Sequence, residues 1–397
     1  MAPLPPAAPI GIYLHIPFCG HICPYCDFNT YSGQESTIPR YVDALVREIA
    51  AFGARVGRRR ASSIFFGGGT PSLLTPAQVA RIVDACAAAT DLLPDAEITL
   101  EANPNAADRD RFAGYRAAGV NRLSIGVQTT RRKGLRILGR NHEPGDAEAA
   151  YLAAREAGFV NISLDLIFGW PGQDAAALVA DIESVLGWGG GGPEHLSLYH
   201  LIVEPGTPMA GAVDRGILAP VDDDAAADLY EVAIATLAAR GWQHYEVANW
   251  AREPHLQSSH NRLYWRNGEY AGLGAGAHGR TGDDRAMQHL LPATWMAAVE
   301  AGDAPVSNVE RIDARLAMGE TMMLGLRLLH EGVADGDFLA RHGVALETVF
   351  AREIADLVAI GMLRREPDRV LLTDRGLMVA NDVVARFLPD PDASAQS

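Results

Sequence analysis

Over the first 220 residues, short apolar runs alternate with longer segments whose apolar residues recur at i, i+3 and i+4. The runs at 12–16, 63–66, 97–101, 122–127, 161–168 and 195–200 read as β-strands. The segments at 40–52, 76–89, 107–118, 146–157 and 174–188 read as amphipathic helices. Strands alternating with helices of that length imply parallel βαβ units with right-handed crossovers. Six such units stop short of the eight that close a barrel, so the expected α/β fold is an open, partial (β/α)6 barrel with a lateral mouth.

The rhythm stops after Pro220. A helix is predicted over 222–239, opening on the acidic run Asp222-Asp223-Asp224, which suits a helix N-terminus. An aromatic-rich stretch follows from Trp242 to Tyr270. From 311 to 387 the pattern reads as helices, two short strands around a charged turn at 364–369, and a final helix: an α+β, winged-helix-like module. The expected organisation is a tail over 1–10, the barrel over 11–220, an aromatic and His-rich connecting region over 221–310, the winged-helix-like domain over 311–388, and a disordered Pro, Asp and Ser-rich tail over 389–397.

Composition narrows the function. A chain of 397 residues can bury a large core in two domains, and 48% hydrophobic with 21% charged residues is ordinary globular usage. Lys plus Arg number 34 against 49 Asp plus Glu, a net charge of -15, which argues against a broad nucleic-acid surface and against RNA modification. The winged-helix-like module has no dense basic face either, so packing or covering a substrate is its expected role. MAPLPPAAPI has no charged leader, and no run approaches the roughly 18 apolar residues of a membrane span. The expectation is a soluble, cytoplasmic protein.

The chemistry concentrates after the first strand, in YLHIPFCGHICPYCDFNTY. Cys19, Cys23 and Cys26 stand in C-x3-C-x2-C spacing. Three thiolates so close can converge on one metal centre, but they leave a coordination position open, which suits a reactive centre more than a closed structural one. A disulfide framework does not fit four Cys in this arrangement. On ligand chemistry alone, a zinc site completed by His15 or His21 stays open. Polar or Gly-rich groups follow the other strands: Gly67-Gly68-Gly69-Thr70-Pro71, Glu101-Ala102-Asn103-Pro104, Gln128, then Asp165 with Phe168-Gly169-Trp170-Pro171-Gly172. Each alone reads equally as a strained turn, a helix cap or a surface ion pair. Cys86 reads as a small buried helix residue.

Together the Cys loop, GGGTP, EANP, VQ and LGR resemble the radical S-adenosylmethionine (SAM) superfamily, in its coproporphyrinogen-oxidase-like branch. That resemblance implies a 4Fe-4S cluster on Cys19, Cys23 and Cys26, with SAM on its open iron. It implies SAM contacts from Tyr13, Tyr25, Gly68, Gly69, Thr70, Glu101, Gln128, Arg140 and Asp165, with Tyr199 near the adenine. Arg140 suits a carboxylate because its planar fork binds one bidentately. One departure is Thr129-Thr130-Arg131, where the family has a Ser-Phe-Asp type run.

HNRLYW, at 260–265, is similar to the HNxxYW motif of the haem chaperone family HemW. It implies haem binding by His260, with Asn261, Tyr264 and Trp265 around it; from composition alone these residues could equally form a packing seam. The resulting expectation is a carrier of 4Fe-4S, SAM and haem that delivers haem to acceptor haemoproteins, with a reductant protein and transient membrane-protein contacts allowed. The alternative is an oxygen-independent coproporphyrinogen III oxidase, decarboxylating two propionates to give protoporphyrinogen IX. Against it stand the short segment before the first strand and Phe28, where those enzymes carry a further Cys.

Overall fold

The computed structural model describes residues 8–106 and 108–389. Six parallel strands lie side by side in chain order: β1 (Ile10–Ile16), β2 (Arg60–Gly68), β3 (Asp91–Ala102), β4 (Arg122–Gln128), β5 (Ile162–Phe168) and β6 (His195–His200). The helices α1 (Ile38–Val56), α2 (Pro76–Ala89), α3 (Arg109–Ala117), α4 (Arg132–Ile137), α5 (Pro144–Glu156) and α6 (Ala175–Gly187) fall between them. Every expected strand is present. β2 and β3 run longer than their apolar patterns, and α4 has no counterpart among the predicted helices. Ile10, assigned to a tail, is instead the first residue of β1 and is buried. The tail expected over 389–397 lies outside the described residues except for Pro389.

Local chemistry starts the helices where expected. Thr75 caps α2 in a capping box with Gln78, and Asp108 and Asp174 cap α3 and α6 through their side chains. Each cap contributes about 1 kcal/mol.

The parallel strands have two unlike faces. Outward residues such as Ile12, Leu14, Ile64, Phe66, Leu100, Leu123, Leu164 and Leu196 pack under the helices as the main core. The registers Tyr13↔Phe65↔Thr99↔Arg122 and Gly126↔Asp165↔Ser197 align the intervening residues on the opposite, inner face. That face is mostly polar.

The second half is built into the same sheet. After α7 (Pro208–Asp214) and α8 (Asp223–Ala239), β7 (Gln243–Glu246) and β8 (Asn249–Ala251) extend it antiparallel from β6. α9 (Ser259–Trp265) then packs against β2 and β1. Next, β9 (Tyr270–Leu273) pairs parallel to β1, and β10 (His278–Thr281), β11 (Asp284–Gln288), α10 (Pro292–Ala301) and β12 (Val306–Arg311) complete this half. The twelve strands end at β12 and β7, which do not pair, so the barrel is open. Residues 221–310 thus do more than connect: they supply both flanks of the sheet.

The C-terminal module has its own core around Met322, Phe338, Phe350, Ile354 and Phe387. It comprises α11 (Ala314–Gly325), β13 (Val333–Ala334), α12 (Asp335–His342), α13 (Leu346–Ala359), the hairpin β14 (Leu363–Glu366) and β15 (Arg369–Leu372), then α14 (Asp374–Met378) and α15 (Ala380–Ala385). Helices followed by a small sheet match the winged-helix-like expectation.

Candidate functional site

The three cysteines sit on the loop leaving β1. Its base is closed by Cys19 N donating to the Tyr31 carbonyl (2.9 Å) and Tyr31 N to that of Pro17 (2.7 Å). Asn29 Nδ2 donates to the carbonyls of Ala275 (3.1 Å) and Leu290 (3.0 Å), so the second half of the chain holds the loop in place. His15 uses both ring nitrogens: Nε2 donates to the Asn29 carbonyl (2.9 Å) and Nδ1 accepts from Tyr13 Oη (3.0 Å). It therefore buttresses the loop and is not free to complete a zinc site. His21 donates from Nε2 to the Gly139 carbonyl (2.9 Å).

All four cysteines are free thiols, and Cys86 is fully buried in α2 as expected. Thr70 Oγ1 lies 3.3 Å from Cys19 Sγ, and Arg140 Nη1 donates toward Cys23 Sγ at 3.6 Å. Burial pushes the thiols of Cys19 and Cys26 up. Among the described residues no three His, Cys, Asp or Glu side chains converge on a point as a single ion requires. A four-iron cluster needs no such convergence, because each of three irons takes one thiolate. Three free thiols with polar groups beside two of them fit such a cluster.

These residues line one wall of a cavity of about 520 Å³ at the C-terminal end of the parallel strands. Of the other candidates, Tyr25, Gly68, Gly69, Thr70, Glu101, Gln128, Arg140, Asp165, Tyr199 and Asn261 also line it. Gly68 has φ +110°, a region L side chains avoid. Gly69 N donates to the Ile16 carbonyl (2.8 Å), drawing the triplet against the base of the Cys loop.

Glu101 and Asp165 face each other across the cavity's inner end. Burial, and then the Asp165 charge, push Glu101 up to about 8. Burial also raises Asp165, against which Ser124 Oγ (2.9 and 3.0 Å) and Ser163 Oγ (3.2 Å) donate to its carboxylate. Neither carboxylate caps a helix. Arg140 meets no carboxylate: Nη2 donates to the Gly126 carbonyl (3.0 Å) and Nε has no partner. Gln128 adopts φ +66°, a strained conformation for a side-chain-bearing residue. The following Thr129-Thr130-Arg131 is held by buried Asp181, which accepts from Thr129 Oγ1 (2.6 Å) and Thr130 Oγ1 (2.5 Å).

Four candidates stand off the cavity wall. Tyr13 lies behind it, stacked on Phe65 and bonded to His15. His260 is 1% exposed; its ring stacks on Phe65 (5.1 Å), Nδ1 pairs with Ser63 Oγ (2.7 Å) and Nε2 has no partner. Burial drops its pKa to about 3, so the imidazole is neutral. Tyr264 packs on His260 and Tyr270, and Trp265 faces Arg327 of the C-terminal module. Arg122, Ser124 and Ser197 line the cavity but were not singled out by the sequence. The signal was there as Arg122, Ser124 and Gln128 alternating with apolar residues, and as His195, Ser197 and Tyr199 doing the same.

Residues 13–185 match the Radical SAM superfamily and residues 312–379 the HemN C-terminal domain. The heme chaperone HemW of Mycobacterium tuberculosis (strain ATCC 25618 / H37Rv) is 39% identical over 392 residues, covering 98% of this chain and 97% of that protein. The chain belongs to the HemW family. Escherichia coli (strain K12) HemW is 35% identical over 397 residues, covering 96% and 99% of the two chains. The solved structure of coproporphyrinogen III oxidase (HemN) from Escherichia coli, described as a radical SAM enzyme, superposes with a TM-score of 0.82 at 22% identity, covering 96% and 90%. That likeness establishes a shared fold. HemW family membership accords with the Cys loop, the glycine triplet and HNRLYW occurring in one chain.

Proposed function

We propose that this chain is a haem chaperone that carries a 4Fe-4S cluster, SAM and haem, and passes haem to acceptor haemoproteins. The observation that carries the reading is near-full-length similarity to heme chaperones of the HemW family. Cys19, Cys23 and Cys26 would hold the cluster; when bound with SAM, it supplies the reductive chemistry of the superfamily, with electrons from a reductant protein. The residues of the chain bind and orient. The bare backbone of Gly68 and Gly69, with Thr70, admits the amino end of SAM. Arg140 offers its fork to the carboxylate, while Glu101, Gln128 and Asp165 supply acceptors. Tyr25 and Tyr199 form aromatic walls, and Tyr13 holds His15 against the loop. None of the described helices is long and apolar enough to cross a membrane, and a cytoplasmic location is part of this proposal.

Haem is assigned to the segment carrying His260, Asn261, Tyr264 and Trp265. Asn261 reaches the cavity, but a haem iron can meet His260 Nε2 only if α9 leaves its seat. The ties of α9 to the C-terminal module are polar and partly exposed: Arg262 and Arg266 pair with Glu331 at 2.6 and 2.7 Å. Those pairs hold weakly, so the stronger restraint on α9 is its buried seat, where Glu97 accepts from the Ser259 and His260 amides and Ser63 pairs with His260 Nδ1; haem ligation by His260 requires these contacts to open.

The test is anaerobic incubation of the reconstituted protein with coproporphyrinogen III, SAM and reductant, beside a haem titration. No protoporphyrinogen IX and saturable haem binding is the expected result. Formation of protoporphyrinogen IX would instead establish the decarboxylase. In His260→Ala, haem affinity should fall; unchanged affinity would move the haem site elsewhere.

A further inference from the structure

Arg122 is the cation of the cavity's inner end. It is 2% exposed, lies on β4 opposite Thr99 of β3, and lines the cavity. Its Nε has no hydrogen-bond partner, and among the described residues it forms no ion pair. A buried guanidinium left this way is costly unless its charge is used. Two uses are open: receiving an anionic ligand, or balancing buried carboxylates.

The surroundings decide between them. Glu101 on β3 pairs in register with Ser124, two residues along the same inner face of β4 from Arg122, and Ser124 Oγ donates to Asp165; all line the one cavity. Glu97 is also near, but its oxygens are engaged by Ser258 Oγ (3.4 Å) and the amides of Ser259 (2.9 Å) and His260 (3.1 Å). An incoming anion would therefore meet two carboxylates for one guanidinium. When a ligand draws both into the ionised form, Glu101, Asp165 and Arg122 leave one net negative charge, which a monocation neutralises.

We propose that Arg122 is a positioning residue: its guanidinium is the internal counter-charge that makes ionisation of Glu101 beside Asp165 less costly, so that the cavity floor favours a cationic ligand. The identity of that ligand as a sulfonium cofactor rests on the SAM reading above; the electrostatic arrangement does not. Two carboxylates in one desolvated site resist ionising together, and a nearby cation lowers that cost. The groups facing Glu101 are Tyr13 on β1, the Gly68 amide on β2, Arg122 on β4, Asp165 on β5, Tyr199 on β6 and Tyr264 on α9. Arg122 is the only one of them that is positively charged.

Two measurements on the cluster-loaded full chain test this. The first needs no ligand. The protonated-carboxyl infrared band that disappears in Glu101→Gln is titrated with pH; in Arg122→Gln its midpoint moves up by about one pH unit, and in Arg122→Lys it stays near the wild-type value. An unmoved midpoint in Arg122→Gln overturns the proposal.

The second measures SAM affinity by equilibrium dialysis from pH 6.5 to 9.5. The amine of SAM titrates in this range, so the readout is the ratio of wild-type to Arg122→Gln affinity at each pH. The same upward move of the Glu101 midpoint makes that ratio about tenfold at pH 6.5, shrinking below about twofold by pH 9.5. A ratio constant with pH would report packing alone and overturn the proposal, as would Arg122→Lys failing as badly as Arg122→Gln. Wild-type protein that binds no SAM would refute the SAM reading, while the infrared titration would still decide the role of Arg122.

Discussion

A Cβ placed on Gly69 would lie 2.7 Å from the carbonyl oxygen of Phe18 and 2.9 Å from that of Ile16. Both atoms are backbone at the root of the Cys loop, so neither can move aside cheaply. Gly69→Ala is therefore expected to cost about 1–3 kcal/mol of stability and to shift the Cys loop, with SAM affinity falling at least roughly tenfold. Thermal melts and equilibrium dialysis check both, and a variant of wild-type affinity would remove the triplet from the binding argument. The cysteines stood out in the sequence by their own spacing, and the glycines, Glu101 and Asp165 by the polar or Gly-rich positions at successive strands taken together with the family resemblance. For Arg122 the alternation of its strand marked only the face it shares with Ser124 and Gln128, because the pattern does not say which charges lie across that face. His260 shows the reverse case: the motif was legible, but its burial against Phe65 and its bond to Ser63 depend on residues some 195 positions away.

Glu97 decides where α9 sits. This helix is too short to be stable by itself, and its first amides point at a carboxylate on β3. Glu97→Ala leaves those amides without their acceptor and is expected to destabilise the protein by about 1–3 kcal/mol, with faster hydrogen exchange at Ser259 and His260. Unchanged exchange there would mean that packing alone seats α9. The six strands and most of their helices were legible in the apolar period, since each buries one face locally. The pairing of β9 with β1 and of β8 with β6 was not, because those contacts bring together residues far apart in the chain. The short strand at Tyr270–Leu273 has no pattern that names its partner.

The whole molecule keeps several acids in its interior, and their cost falls on its stability. Burial pushes Glu48 and Glu246 up to about 7 from an ordinary 4.5. The folded state then binds these protons more tightly than the unfolded chain. Their stabilising effect is complete below about pH 4.5 and is lost as pH rises through 7. Glu48→Gln removes one such dependence: denaturant midpoints should show the variant gaining about 1–3 kcal/mol relative to wild type between pH 5.5 and pH 8. A difference independent of pH would place the Glu48 proton elsewhere. The C-terminal module, with its separate core, adds a polar seam through Glu331, Arg341 and Asn267 against α9. The sequence by itself determined the alternation of strand and helix, the three thiols and the glycine triplet, because local periodicity and ligand spacing are properties of neighbouring residues. Tertiary structure alone decided the cavity's charge balance, the seat of α9 and the second half's role in flanking the sheet. Those depend on distance through space, which a linear order of residues does not contain.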